Sequence, residues 1–579
     1  MPFPLRRSSI ALLLLVTACG SGGPPRDAWN VVLVGIDTLR ADHLGCYGYS
    51  RPTSPRIDGL AAEGTVFRTA ISPSPWTLPA FASILTGVLP SRHRAGEGRG
   101  FLRTPLDDRT ETLATHLRRA GWTTASFVSN GFAGVDVGLA QGMVEHRRAV
   151  GIARLAVDDA IAWLDGRARE PFFLFLHIID PHEPYEPEPR DAEPFIDPAY
   201  AGPIGLAYSG TGGDVQTPAD RRRVLDLYDG EVHYADRLLG EVLDALTASG
   251  VDDRTMVVVV SDHGEELFEH GALGHGRTLY DEVLRVPLVV RVPGGHPVGQ
   301  VMQQVSTVDV MPTVLDAVGL TVPDGLDGES LLPFVRDPAL VRASRPAFAE
   351  FLWSGPEEKA IRSATEKLLL TPSNGNTRLY DLEHDPGEQH DLSTTRGEQV
   401  AALTQQVTER LVTPQFVVHA FVRGGQQGDV VELDMRLDHG RFHDPRLVDA
   451  DADDRLTLSA DGSVVSVRFV RGNDPRNDVD GVTAAATEGG PVTVRTYVGG
   501  VAVPAVHVHG GTPREPVPGD VSIVLTPDEP DDVASQPTPP PLPPDDAPRV
   551  ALRFVRSAPA AAALAEDTKA NLRALGYVE

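Results

Sequence analysis

Only two cysteines, Cys19 and Cys46, occur in 579 residues, too few for a disulfide framework to hold the fold together. Positive charge is also scarce: 52 Lys and Arg face 80 Asp and Glu, a formal net charge of −28. That balance excludes a nucleic-acid partner, because phosphate backbones are gripped by clustered Lys and Arg. No apolar run reaches the roughly 20 residues a spanning helix needs; the run near the N-terminus extends only from Ile10 to Val16. Repeats of solenoid length are absent as well. What is present is an apolar fraction of 41%, that of a folded chain, and enough length for two or more domains.

The first residues, MPFPLRRSSIALLLLVTACG, place Arg6 and Arg7 ahead of the short apolar core and small residues ahead of Cys19, the layout of a secretory signal over 1–18. Val16-Thr17-Ala18-Cys19 resembles the lipobox of bacterial lipoproteins. The resemblance implies that Cys19 is lipidated and becomes the mature N-terminus, followed by a flexible tether over 19–28. Gly20 stands where an aspartate would imply retention in the inner membrane. The expected place is therefore the cell envelope: outer membrane, periplasm or cell surface. With Cys19 lipidated, Cys46 has no partner for an internal disulfide.

From Asn30 onward, short apolar runs alternate with helical periodicity. VVLVGID (31–37), TTASFVSN (123–130), PFFLFLHIID (171–180), TMVVVVSD (255–262) and VPLVVRVPG (286–294) read as strands buried on both faces of a parallel sheet. Helices are expected over 109–120, 151–168 and 224–249. Together these predict an α/β domain over 29–413, with a mostly parallel central sheet flanked by helices. After about Thr413 the pattern becomes short alternating runs between Gly, Asp and Pro turns, which predicts an all-β, sandwich-like module over 414–556. Within it, 535–549 is a stiff Pro-rich loop, and 557–579 is a helix candidate. The acidic run Asp449 to Asp454 lacks the ordered Gly and Glu of a calcium loop and reads as a solvated turn.

Several of these strands end in Asp or His, at the sheet edge where ligands of open α/β sheets gather. Asp37 ends the first strand, and Asp262 with His263 ends the fourth. If the two strands are neighbours, three metal-ligating groups converge. The stretch SPSPWTLPAFASILTG (72–87) adds Thr77 at a proline-framed helix start, a place suited both to capping and to receiving an anion. His177, inside an apolar strand, reads as a hydrogen-bonded core residue, Asp180 as a weak candidate, and Arg40 as half of an ion pair with Asp42.

Five motifs in order, NVVLVGIDTLRADHLGCYGYSRPTSPRIDGLAAEGTVF, SPWTLPAFASILTG, DPHEPY, SDHGEELFEHGALGHGRTLYDE and RLYDLEHDPGEQHDL, resemble the sulfatase family of the alkaline phosphatase superfamily. The resemblance covers about 29–410, and the closing NLRALGYVE is similar to the usual end of such chains. It implies an alkaline-phosphatase-like fold and a hydrolase of sulfuric or phosphoric esters. It also implies one divalent metal held by Asp37, Asp262 and His263, with the side chain of Thr77 as nucleophile touching it. His275 and then His182 are the implied proton donors to the leaving oxygen, because related enzymes carry a Lys or His at the distance of His275 from the metal pair. Asn130 and His270 lie within possible reach of such a site.

The chain departs from the family's best-known pattern at the nucleophile. Formylglycine sulfatases keep Cys or Ser there, followed by x-Pro-x-Arg, whereas this chain reads Thr77-Leu78-Pro79-Ala80-Phe81. Threonine cannot become the aldehyde, and the arginine is missing. A sulfated threonine would need water to attack sulfur, whereas a phosphothreonine is resolved by in-line attack at phosphorus. The expected substrate is thus a phosphate ester or phosphonate ahead of a sulfate, on a small molecule, a lipid headgroup or a glycan. One imidazole ligand, and Thr38 where many relatives have a second Asp, favour manganese or zinc over calcium or magnesium. Two alternatives stand beside this expectation. A phosphoethanolamine-type transferase also uses a metal-bound threonine, but its relatives carry membrane helices ahead of the catalytic domain. A non-catalytic envelope binding protein would keep the fold and lose the chemistry.

Overall fold

The computed structural model describes residues 28–411 apart from 97, 100–101, 168–169, 211, 352–356 and 373, and beyond these the strands between Phe416 and Ala563. Residues 1–27, which take in the expected signal (1–18) and all but the last residue of the expected tether (19–28) together with Cys19, lie outside the described residues, as do the acidic run 449–454 and the Pro-rich stretch before Arg549. So does the helix expected over 557–579, save Ala562–Ala563, which form a two-residue strand paired with Leu102–Arg103.

The centre is an eight-stranded sheet. In chain order its strands are β1 (Asn30–Ile36), β2 (Thr65–Phe67), β3 (Thr123–Val128), β4 (Glu145–Arg148), β5 (Phe172–Ile178), β6 (Thr255–Ser261), β7 (Leu288–Arg291) and β8 (Gly299–Val301). They lie side by side as β8-β2-β7-β6-β1-β5-β3-β4. Neighbours from β6 through β1, β5 and β3 to β4 are parallel, as their continuous apolarity predicts. The expectation fails at β7, which runs antiparallel to both β6 and β2. Its hydrophobicity reports burial on two faces, and burial does not encode direction.

Helices cover both faces of the sheet. Side chains alternate along β5, so Phe172 and Phe175 point to opposite sides. Phe172 meets Trp163 of α3 (Ala153–Leu164) edge-on, while Phe175 meets Phe81 of α1 (Thr77–Thr86) at 5.5 Å between centroids. All ten residues of α1 are buried. The helix can lie this close to the sheet because β1 has Gly35 beneath it, where a Cβ would stand 2.4 Å from the Phe81 ring. Between α1 and α3 comes α2 (Leu113–Arg119), shorter than the predicted 109–120 because Thr112 caps it and forms a capping box with Thr115. The longest helix, α4 (Pro218–Ala248), begins earlier than predicted. Pro218 at its first position and a Thr217–Asp220 capping box fix that start, which the arginine run 221–223 obscured in the apolar pattern.

A second, four-stranded antiparallel sheet, unforeseen within the α/β domain, joins β9 (Ala347–Phe351), β10 (Glu358–Arg362), β11 (Glu366–Thr371) and β12 (Asn376–Asp381). Helix α5 (Gly397–Leu411) covers it through Val407 and Leu411 against Ile361, Leu368 and Leu379. The buried Lys367 ties it to the main domain through Asp281 (3.0 Å) and Glu388 (2.9 Å). Beyond Phe416 the strands form two largely antiparallel sheets, one of five strands and one of six, as expected for a sandwich-like module.

Gly35→Ala should lower stability by about 1–3 kcal/mol, the usual cost of overpacking a filled core. A fall in the denaturant midpoint with unchanged slope would show it.

Candidate functional site

Strands β1 and β6 are parallel neighbours with Ile36 opposite Ser261, so the residues that follow them, Asp37 and Asp262, emerge together at the carboxyl edge. His263 comes next. One donor atom from each of Asp37, Asp262 and His263 lies within 4.8 Å of the others, and all three side chains are fully buried. His263 Nε2 is 3.5 Å from Asp37 Oδ1 and 3.4 Å from Asp262 Oδ2.

Hydrogen bonds around the cluster leave one face of it open. Asp262 Oδ1 accepts from the amides of His263 (2.9 Å) and Thr38 (3.3 Å). Asp37 Oδ2 accepts from Asn130 Nδ2 at 2.7 Å and faces His177 Nε2 at 3.4 Å. His263 Nδ1 donates to the Gly264 carbonyl at 2.9 Å, which leaves Nε2 as the lone-pair nitrogen. Asp37 Oδ1, Asp262 Oδ2 and His263 Nε2, the three atoms that face one another, have no hydrogen-bond partner among the described residues. Buried polar atoms are rarely left so.

Electrostatics express the same arrangement. Burial pushes the Asp262 carboxyl well above the usual carboxylate range, and the Asp37 charge beside it adds to that. Burial opposes ionisation of Asp37 too, but the facing His177 imidazole prevails and holds it below its ordinary value. His263 is driven well below its ordinary value by burial and by His275, so it stays neutral. Two carboxylates and a neutral imidazole, converging without an intervening donor, are a donor set for one divalent cation.

Thr77 reaches this cluster from the other side. It is the first residue of α1, preceded by the extended Trp76, so it sits one place inside the cap position. Its hydroxyl is 3.5 Å from Asn130 Nδ2, the group that also holds Asp37. Asn130 is itself fixed by accepting the Phe132 amide at 2.9 Å. Pro79 is the third helical residue and has no N–H, so the first turn offers an anion at most the amides of Thr77 and Leu78. This narrows the expectation that the helix start receives an anion.

The two histidines named as proton donors stand together above the cluster. The His275 ring centroid is 4.4 Å from that of His263 and 4.8 Å from that of His182. Burial pushes His275 down to about 4 and lowers His182 as well. The loop carrying His275 is tied to the loop that leads into Thr77 by Gly276 N donating to Pro75 O at 3.0 Å. Arg40 is an ion-pair residue as expected, bound to Asp42, to Glu269 and to the Glu265 carbonyl. His270 points elsewhere, stacked on Tyr280 and bonded to Glu282.

His177 is the core residue the sequence suggests and something more. It is a buried strand histidine, but its ring faces Asp37, because Gly35 and His177 are register partners and Asp37 follows two residues later. Asp180 turns instead to Glu231 of α4; burial raises both carboxyls, with the Asp180 charge adding to the rise at Glu231 while the hydrogen bond from Glu231 partly offsets it at Asp180. Glu265, which bonds to His275, had no sequence signal of its own beyond its nearness to His263. Thr38 takes a left-handed conformation, φ 54°, stabilised by Tyr228 donating to its carbonyl at 2.8 Å. Such strain at a non-glycine residue is typical of functional sites.

The family described as Sulfatase matches residues 29–320, and that described as N-sulphoglucosamine sulphohydrolase, C-terminal, matches 269–415. Among curated relatives, a choline-sulfatase of Rhizobium meliloti is 26% identical, with 63% of this chain and 82% of that one covered. The multifunctional alkaline phosphatase superfamily protein PehA of Trinickia caryophylli is also 26% identical, with 66% of this chain and 94% of the relative covered. The solved phosphonate monoester hydrolase of Agrobacterium radiobacter shares the fold at a TM-score of 0.55 and 24% identity, covering 66% of this chain and 97% of that one.

Protons should compete with the cation, because burial and the neighbouring Asp37 charge favour the protonated Asp262 carboxyl while His263 is held towards its neutral form. Affinity should therefore fall as pH falls. Calorimetry in buffers of different ionisation enthalpy measures the proton count, and Asp37→Asn should abolish the binding.

Proposed function

The chain belongs to the sulfatase family and is a hydrolase of sulfate or phosphate esters; from that premise we propose that Thr77 is its nucleophile and that phosphate or phosphonate esters are its preferred substrates. The observation that carries this is the Asn130 amide, which spans from Asp37 Oδ2 to the Thr77 hydroxyl and so sets the hydroxyl beside the buried carboxylates. The threonine side chain supports the substrate preference, since it cannot supply a formylglycine and its ester is resolved more readily at phosphorus than at sulfur. By name, the relatives include both a choline-sulfatase and a multifunctional alkaline phosphatase superfamily protein.

A divalent cation, manganese or zinc by its donor set, would be held by Asp37, Asp262, His263 and Thr77, and would there lower the pKa of the hydroxyl and offset the charge of the transferring group. The Thr77 hydroxyl gives its proton to solvent and its oxygen bonds to phosphorus in line. The bond from phosphorus to the leaving oxygen breaks, and His275 protonates that oxygen. His275 is neutral in the substrate-free protein, but an anionic phosphoryl group beside it raises its pKa, so its proton is taken up with the substrate. Water then attacks phosphorus opposite the Thr77 oxygen, and one water proton passes to His275. The Thr77 oxygen recovers a proton as phosphate departs. His182, against the same ring, is the second candidate for the proton transfer. Lipidation of Cys19 would tether the enzyme in the envelope, where lipid headgroups and glycans carry such esters.

A paired assay on aryl sulfate, phosphate monoester, phosphodiester and phosphonate monoester, after chelation and metal add-back, tests this. The phosphorus esters should turn over, and Thr77→Ala should lower kcat by about 10³-fold or more. Turnover of sulfate alone would overturn the substrate preference, and activity surviving Thr77→Ala would remove Thr77 as nucleophile. For the anchor, Cys19→Ser should move the protein from the membrane to the soluble fraction.

A further inference from the structure

We infer that Glu265 is a positioning residue that fixes the imidazole of His275, so that its Nε2 is the nitrogen presented to the leaving oxygen. The inference rests on the role proposed for His275. Glu266–Leu267 and Leu273–Gly274 form a short antiparallel hairpin with Glu266 opposite Gly274. That register sets Glu265 and His275 across from each other at its open end. Glu265 Oε1 is 2.9 Å from His275 Nδ1.

Glu265 is itself immobilised on every side. Its side chain is fully buried, Tyr185 donates its hydroxyl to Oε2 at 3.2 Å, and Arg40 donates to its carbonyl at 3.0 Å. Tyr185 is in turn held by paired backbone bonds with Tyr208 (2.8 and 2.9 Å). Gly274, with φ 111°, lets the chain turn so that the next residue faces back to Glu265. Arg40 also anchors the hairpin tip through Glu269.

A histidine needs such a partner where a lysine at the same position would not. Its two ring nitrogens are distinct, and a hydrogen bond at one decides which is offered at the other. With Nδ1 engaged by Glu265, rotation of the ring is resisted and Nε2 is the nitrogen turned away from the carboxylate. The neighbouring rings of His263 and His182 restrict the alternatives further.

The test compares Glu265→Ala, Glu265→Gln, His275→Ala and the Glu265→Ala/His275→Ala double variant on two phosphate esters. One has a 4-nitrophenolate leaving group that departs unprotonated, and the other an alkoxide that needs a proton. Glu265→Ala should lower kcat on the alkyl ester by about 100-fold, in the range of general acid catalysis, with KM unchanged and the nitrophenyl ester little affected. Glu265→Gln, which keeps a hydrogen bond to Nδ1, should restore most of that loss, and the double variant should be no slower than His275→Ala. Nitrogen NMR of the full chain carrying labelled histidine should show one His275 tautomer in the wild type and a mixture in Glu265→Ala. Equal slowing of both esters, additive losses, or a tautomer signal unchanged by Glu265→Ala would overturn the inference. Should the wild type hydrolyse no phosphorus ester, the proposed function fails, and the NMR comparison alone still decides the role of Glu265.

Discussion

The parallel pairing of Asn30–Ile36 with Thr255–Ser261 is the constraint on which the site depends. It delivers two carboxylates, Asp37 and Asp262, to one edge of the sheet with no exposure to water. In a medium of low dielectric, two such charges cannot both remain ionised unaided. One is held towards its ionised form by the facing His177 imidazole, the other is pushed towards its neutral form, and the His263 imidazole between them stays uncharged. A cation in that position would satisfy all three groups at once, which explains why their inward atoms have no other partner among the described residues.

The reacting groups come from elements outside this strand pair. Thr77 arrives on a helix that is buried along its whole length, set against Gly35 through Phe81, so its hydroxyl is placed by core packing. His275 arrives on a hairpin braced by Arg40, Glu269 and Glu265. The proposed nucleophile and proton donor are thus carried by two rigid pieces that meet where Gly276 bonds to Pro75. The strained Thr38 between Asp37 and Leu39 is the local cost of turning the chain out of the first strand, offset by Tyr228, Ser261 and Asp262.

Much of this was legible in advance, and the misses have physical causes. Apolar continuity marked the central strands, and their terminal Asp and His residues marked the edge that matters. Periodicity did not reveal that Leu288–Arg291 runs antiparallel, since an inward-facing valine looks the same in either direction. His177 looked like core because it is core; only the register with Gly35 shows that its ring faces Asp37. Pro79 was read as a favourable helix start, and its missing N–H, the feature that limits anion binding, matters only once the helix is placed.

By itself the sequence determined which residues can do chemistry: hydroxyl, carboxylate and imidazole types set by motif, and the threonine that removes the formylglycine route. Local capping and turn signals determined where helices start and where glycine is required. Tertiary structure decided which of those residues meet. Asp37 and Asp262 are 225 residues apart, and Asn130 lies 93 residues from the aspartate it holds. No local propensity encodes such contacts, because they follow from strand order and register, which are set by burying both faces of the sheet at once.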